Sequence, residues 1–311
     1  MNMGFPPALV ARLGCTRDGA PLAIDPDAER RAGDAAIQRG RLACTTCDAS
    51  YPIEEGILCL LPADALQGES RHEQQLRDRY AQKLDAGTPW YDDDHNRMEM
   101  VPTLEALQLE PSAVLLELGC GDGRYTVPLE AHARAVLAVD FSIESLRMAR
   151  RRLAGRGNVG LVQADVATMR VAPAGFERVF STLVSNLPTR EHRDALYRLA
   201  SNALAPGGRF VYSTHHHGLR QRLSGKSKSG RYHEGGIFRY NFSRQECRRE
   251  VMQAFGAAHV RPISVYFPFT MRLGIPLLAQ SRLCERIPLV NLLGNLLLCV
   301  ATQPVAASRA G

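Results

Sequence analysis

The chain predicts an α/β fold: a parallel sheet with helices on both faces, preceded by a small β module. Three observations predict it. Apolar runs of strand length alternate with helical patterns from residue 114 onward. The first run, Val114 to Leu118, leads straight into glycines at positions 119, 121 and 123. Further strand-like runs end in order at Asp140, Asp165 and Thr182, where an open α/β sheet places its ligands.

The run Val114-Leu115-Leu116-Glu117-Leu118 reads as a buried parallel strand. Gly119, Gly121 and Gly123 then permit backbone with φ > 0 and let a ligand lie close to the main chain. The helix start beyond them offers unpaired N–H groups. A nicotinamide-binding turn would space its glycines G-x-G-x-x-G, which this turn does not. Glu117, Gly119, Gly121 and Gly123 instead resemble the first motif, E-x-G-x-G-x-G, of class I S-adenosylmethionine-dependent methyltransferases. Cys120 sits inside this loop and presents mainly its backbone.

The second strand, Ala135 to Val139, stops at Asp140, followed by Phe141 and Ser142. An acidic residue about 20 positions past the glycine turn can accept both ribose hydroxyls of a nucleoside. Phe141 is then placed against the adenine face. The third strand, Val159 to Gln163, ends in Ala164-Asp165-Val166, where a carboxylate can accept the adenine amine proton. The fourth runs from Arg178 to Ser181, and Leu204-Ala205-Pro206-Gly207-Gly208 announces the fifth. This L-x-P-G-G turn is similar to the one in the same methyltransferases. Helices are expected near 102–109, 124–134, 144–154, 190–204 and 243–255, with further strands at His259–Pro268 and Leu296–Thr302. The resemblance covers residues 70–304 and implies a Rossmann-like seven-stranded methyltransferase sheet, with an antiparallel last strand inserted beside the sixth. It also implies S-adenosyl-L-methionine as cofactor, held by Glu117, Gly119, Cys120, Gly121, Gly123, Asp140, Phe141, Asp165, Val166 and Ser181.

A chain of 311 residues, 45% hydrophobic, suits one large domain plus a small one. Pro6-Pro7 and Arg12 interrupt any secretory leader, and the most apolar tract, Ile287 to Val300, is too short to span a bilayer. A cytoplasmic protein without a membrane partner is expected. Its eight cysteines then read as thiols or metal ligands. Of 38 basic residues only Lys83, Lys226 and Lys228 are lysine, which reflects arginine usage rather than a nucleic-acid surface. The net charge of +6 is local: between His215 and Arg261 stand ten basic and three acidic residues.

The organisation expected is an N-terminal module over 1–66, a linker and capping helix over 67–101, and the methyltransferase domain over 102–304. In the module, Cys15-x-x-Asp18 and Cys44-x-x-Cys47 form two knuckles with the spacing of a zinc ribbon. The stretch Tyr51-Pro52-Ile53 through Gly56-Ile57 to Leu60-Leu61 resembles the ending of small zinc-ribbon proteins that activate tRNA and rRNA methyltransferases. Aspartate replaces one thiolate, so Cys15, Asp18, Cys44 and Cys47 are candidate zinc ligands, with loss of metal as the alternative; Cys59 reads as core. Tyr80 and Tyr91 are candidates to cover the methionine end of the cofactor.

Methyl transfer from a sulfonium is an in-line displacement in which alignment supplies much of the acceleration. Ser185-Asn186-Leu187-Pro188 lacks the second proline and the aromatic residue of the amino-methyltransferase motif N/D-P-P-Y. His215, His216 and His217 follow the fifth strand, and His215 and His216 are the candidate catalytic residues, because histidine titrates near neutrality. Residues 218–240 are expected to cross the mouth of the pocket as a basic loop, and 269–295 to roof it. The leading expectation is methylation of a small molecule or natural-product scaffold. The alternatives are an rRNA or tRNA methyltransferase and an inactive cofactor-binding partner subunit.

Overall fold

The computed structural model describes residues 3–30, 35–61, 68–85, 93–183, 187, 189–231, 236–271 and 273–305. A 3-10 turn, Pro7–Arg12, opens on two prolines and leads into six short strands: β1 (Leu13–Gly14), β2 (Leu22–Ile24), β3 (Glu29–Arg30), β4 (Ile37–Cys44), β5 (Ser50–Glu54) and β6 (Ile57–Cys59). β4 pairs antiparallel with β2, β3 and β5, and β5 with β6. In β5, Tyr51 and Ile53 point inward and Ser50, Pro52 and Glu54 outward, the period a half-buried strand requires.

Two helices follow, α1 (Gly68–Asp85) and α2 (Asp93–Leu107). The remaining elements alternate: β7 (Val114–Leu118), α3 (Thr126–Glu130), β8 (Ala135–Asp140), α4 (Ile143–Arg152), β9 (Val159–Gln163), β10 (Arg170–Val171), β11 (Phe176–Thr182), α5 (Arg190–Ala203) and β12 (Leu204–His216). Beyond them lie α6 (Leu219–Leu223), the hairpin β13 (Ser229–Arg231) and β14 (Phe238–Phe242), α7 (Arg244–Val251), β15 (Phe255–Ile263), α8 (Pro268–Met271), α9 (Leu277–Glu285), a 3-10 turn over Val290–Leu293 and β16 (Leu296–Pro304). β9, β8, β7, β11 and β12 lie side by side and parallel; β16 runs antiparallel between β12 and β15. This is the Rossmann-like seven-stranded sheet that the sequence predicts, with the small N-terminal β region at one end. β7 and β9 are buried along their whole length, as strands covered on both faces must be.

Helix starts follow local chemistry. Ser142, Thr189 and Ser243 each accept a backbone N–H at the start of α4, α5 and α7, and Glu246 completes a capping box with Ser243. Several expected boundaries shift. α2 begins nine residues before the expected 102 and carries Pro102 in its interior, where a proline ordinarily marks a helix start. α3 is shorter than the expected 124–134. The fifth strand does not stop at Thr214: His215 and His216 pair with Asn241 and Phe242 of β14. Among the described residues of 218–240, α6 and the hairpin β13–β14 stand in place of the expected basic loop.

The N-terminal module shares the sheet. β6 lies parallel to β9, with Ile57 opposite Leu161 and Cys59 opposite Gln163, while β1 pairs antiparallel with β10. One apolar core runs from Phe5, Leu9, Ile37 and Tyr51 through to Leu116, Val139 and Val162. Gly160 permits a close approach: a Cβ there would lie 2.9 Å from both Leu9 and Phe5 side chains.

Candidate active site

The site begins where β7 ends. Gly119, Gly121 and Gly123 all take positive φ, at 78°, 54° and 79°. The N–H groups of Gly119 and Cys120 both donate to the Val139 carbonyl, at 2.8 and 2.9 Å, pinning the loop to β8. Gly123 packs on α4, where a Cβ would come within 3.0 Å of the Ala149 side chain. Gly121 faces open space, with nothing within 4 Å of a built Cβ. Its N–H donates to one oxygen of Asp140 at 2.8 Å, and Ser142 N–H donates to the other at 2.9 Å. Each oxygen keeps a lone pair for a further donor. Burial pushes the Asp140 carboxyl up, opposed by these N–H groups and the Arg77 charge.

The other expected cofactor residues divide into two groups. Asp165 accepts Ala167 N–H at 2.8 Å and stays half-buried at the end of β9, beside Val166. Phe141 is half-buried, its carbonyl held by Gln74 and Gln163 at 3.4 and 3.3 Å. Ser181 is buried at the end of β11, level with Leu118, and its hydroxyl has no hydrogen-bond partner among the described residues. Glu117 and Cys120 point into the protein instead. The Glu117 carboxyl accepts from the Thr126 hydroxyl at 2.7 Å, and burial pushes it up to about 8. α1 latches onto the same edge through Asp78, which accepts the Ser142 hydroxyl at 2.5 Å. Tyr80 lies on that helix, half-buried. Tyr91, Ser185, Asn186 and Pro188 fall outside the described residues.

Beside this edge opens a cavity of about 430 Å³, bounded by α2, the ends of β12 and β14, α6 and the segment before α8. Glu99, Leu183, His215, Arg239, Asn241 and Tyr266 are among its walls. Alternation along β12 directs Ser213 and His215 to the face covered by α2. There the Ser213 hydroxyl donates to Glu99. Burial pushes the Glu99 carboxyl up, against hydrogen bonds from Ser213 and Tyr125. Glu99 was not singled out from sequence, because it precedes the expected helix start and carries no motif.

The histidine run separates. His215 lines the cavity, and burial, reinforced by the nearby Arg239 charge, lowers its pKa to about 4. It is a neutral imidazole at pH 7, contrary to the near-neutral titration expected of it. His216 does not line that cavity; it is buried with Nδ1 2.8 Å from the Gly294 carbonyl. His217 places Nε2 2.9 Å from the Lys226 carbonyl.

In the module, the ligand atoms of Cys15, Asp18, Cys44 and Cys47 all lie within 4.8 Å of one another. Cys15 and Cys47 sulfurs are 3.7 Å apart, and Cys44 sulfur is 3.5 Å from an Asp18 oxygen. A zinc tetrahedron with sulfur bonds of about 2.3 Å has edges of about 3.8 Å, so the set fits. The Thr46 hydroxyl and Ala20 N–H, at 2.6 and 2.9 Å, hold the Asp18 carboxyl well below the usual range. Cys59 lies apart, its thiol 3.3 Å from the Leu61 carbonyl.

Residues 115–208, from β7 into β12, match the family described as the methyltransferase domain. This stretch is similar to that family over 94 of the 311 residues. Among curated proteins, demethylmenaquinone methyltransferase of Clavibacter sepedonicus is 32% identical over 119 residues, 38% of this chain and 47% of that protein. Carboxy-S-adenosyl-L-methionine synthase of Pseudomonas syringae pv. tomato is 29% identical over 127 residues, 37% of this chain and 51% of that protein. The chain spans about half the length of these relatives. Among solved structures, the complex of the Haloferax volcanii Trm112 methyltransferase activator with a methyltransferase contains a chain matched at TM-score 0.54 and 14% identity, over 75% of this chain and 98% of that one. The N-methyltransferase NodS of Bradyrhizobium japonicum, solved with S-adenosyl-L-homocysteine, matches at TM-score 0.53 and 14% identity, over 74% of this chain and 100% of that one. At such identity these two establish the fold of the methyltransferase domain and nothing finer.

Proposed function

We propose that the chain is an S-adenosylmethionine-dependent methyltransferase acting on a small-molecule acceptor. One observation carries the reading. The open glycine loop and the Asp140 carboxylate, each oxygen with a lone pair to spare, lie on the same edge of the parallel sheet as a 430 Å³ cavity at the ends of β11 and β12, a size that suits a small ligand rather than a polynucleotide surface. The cradle fits the cofactor: Gly121 faces open space and the Ser181 hydroxyl is buried without a partner among the described residues. Gly119, Gly121, Asp140, Phe141, Asp165, Val166 and Ser181 would hold it, while Glu117 supports the loop from behind through Thr126. When bound, it supplies an electrophilic methyl group on a sulfonium.

The chain's own residues do the rest. Asp140 accepts ribose hydroxyls, and the cavity walls align the acceptor for in-line attack. Glu99 is the group best placed to take the acceptor's proton, since its raised pKa brings it nearer neutrality than an ordinary glutamate. His215, neutral, orients the acceptor by hydrogen bonding, and we do not assign His216 a catalytic role. The named relatives include a methyltransferase acting on demethylmenaquinone, a small molecule, which supports the acceptor class. Incubation with cofactor tritiated on the methyl group tests the reading. Label is expected in a small-molecule extract; label in RNA alone, or none in either, overturns it.

We further propose that Cys15, Asp18, Cys44 and Cys47 hold one zinc ion that stiffens the module. Metal analysis is expected to find one equivalent, lost on substituting Cys44→Ser with Cys47→Ser. Chelation should lower the melting temperature; an unchanged melt in a metal-free chain sinks the assignment.

A further inference from the structure

We propose that the face built by α6, α8, α9 and the turn Val290–Leu293 docks on an anionic lipid surface. Ten large hydrophobic side chains are exposed among the described residues, and nine of them lie between Leu219 and Leu292. Leu223, Leu289 and Leu273 are 78%, 75% and 71% exposed; Phe269 and Leu283 are each 64%. A single exposed leucine is ordinary, but a concentration of them marks an interaction surface. The segments adjoin. Gln280 of α9 donates to Thr270 of α8 at 2.6 Å, and Gly218, at the start of α6, packs so closely on the turn that a Cβ there would lie 2.7 Å from the Leu292 carbonyl. Leu289 sits at φ 70°, a conformation a leucine rarely adopts, yet its side chain is held out in solvent.

Charge selects the occupant. Residues 217–231 contain five basic side chains and no acidic one; Lys228 and Arg231 pair with Glu246 and Glu73, and Arg220, Arg222 and Lys226 make no such pair among the described residues. Arg222 and Lys226 are exposed on α6 and just beyond it, and Arg286 is exposed at the end of α9. The neighbouring acids Glu285 and Glu105 are already bound, by Arg261 and by Arg282 of α9. A second copy would bring the same arginines against these, whereas anionic headgroups complement them. Apolar side chains among basic ones are the pattern of a surface-lying, non-spanning attachment. Among the described residues no helix is long and apolar enough to cross a membrane, and the expectation of no membrane partner rested on spanning segments. Docking on the surface needs none. The face also borders the cavity, since Gln221 of α6 and Asn295 line it.

The test is co-sedimentation of the full chain with vesicles of phosphatidylcholine alone or mixed with phosphatidylglycerol, without cofactor, so that its result is independent of methyl transfer. Binding is expected to the mixed vesicles and to weaken with salt. Leu223→Ser and Leu289→Ser should each lower partitioning about tenfold, and Arg222→Gln and Arg286→Gln each about fivefold, with unchanged melting temperature. No sedimentation with mixed vesicles overturns the proposal, as does binding that the four substitutions leave intact. A dimer in sedimentation velocity that Leu223→Ser dissolves would assign the face to a second copy instead.

Discussion

The proposed cofactor edge and the proposed acceptor cavity lie on one edge of the same sheet but are built differently. The edge comes from consecutive strand ends, β7 to β11, and its polar groups are fixed by backbone: Asp140 by two N–H groups, Asp165 by one. The cavity is assembled from parts distant in sequence. Glu99 is held by Ser213, 114 positions away, and His215 feels Arg239 across a strand pair. Backbone fixation tolerates change around it; side-chain assembly concentrates function in a few groups. The two regions should therefore answer to mutation in different kinetic constants.

The largest effect is expected at Glu99→Gln, which keeps shape but removes the proton acceptor. Turnover should fall by about a hundredfold or more with cofactor affinity intact, measured by steady-state kinetics beside calorimetry. A parallel loss of cofactor affinity would merge the two regions. Next, Asp140→Ala should weaken cofactor binding by roughly 30- to 100-fold, since two charge-assisted acceptors disappear. Wild-type titration curves from that variant would remove Asp140 from the site.

Glu117→Gln sharpens the comparison from behind the loop. Its folded pKa, about 8, stands above the ordinary 4.5, so the folded chain holds a proton that the unfolded chain releases as pH rises. Stability falls between those values and the full penalty is present above pH 8. The variant should match the parent near pH 4.5 and exceed it at pH 8 by roughly 4 kcal/mol in denaturant melts. An equal stability difference at both values would show that Glu117 does not titrate across folding. The smallest effects separate the histidines. His215→Ala is expected to lower turnover about tenfold. His216→Ala should leave turnover unchanged and lose about 1 kcal/mol of stability with its bond to the Gly294 carbonyl.

This contrast also explains what the sequence made legible. Glycines at 119, 121 and 123 and carboxylates at 140 and 165 announce themselves because strand-end chemistry is local: the residue type is dictated by the backbone next to it. The two cysteine knuckles are local in the same way, and the structure brings their ligand atoms together. Glu99 is silent, since its partner lies on β12 and nothing near it in sequence constrains it. The direction of His215 and His216 became readable only once β14 extended β12 past Thr214. That pairing fixes which histidine faces α2.

The bond ladder between β6 and β9 has a consequence for how the chain is made. Ile57–Cys59 meet their partners only when Leu161–Gln163 exist, about a hundred residues later in synthesis. On a ribosome the module emerges ahead of β9 and waits, its strand edge open, while α1, α2 and the glycine loop follow. Closing so long a segment is slow, because its entropy must be spent before the contacts form. The N-terminal unit, translated ahead of the strands it joins, therefore acquires its final neighbours only after the glycine loop, β8 and β9 have been made. Folding speed in the cell should depend on what shields that edge in the interval.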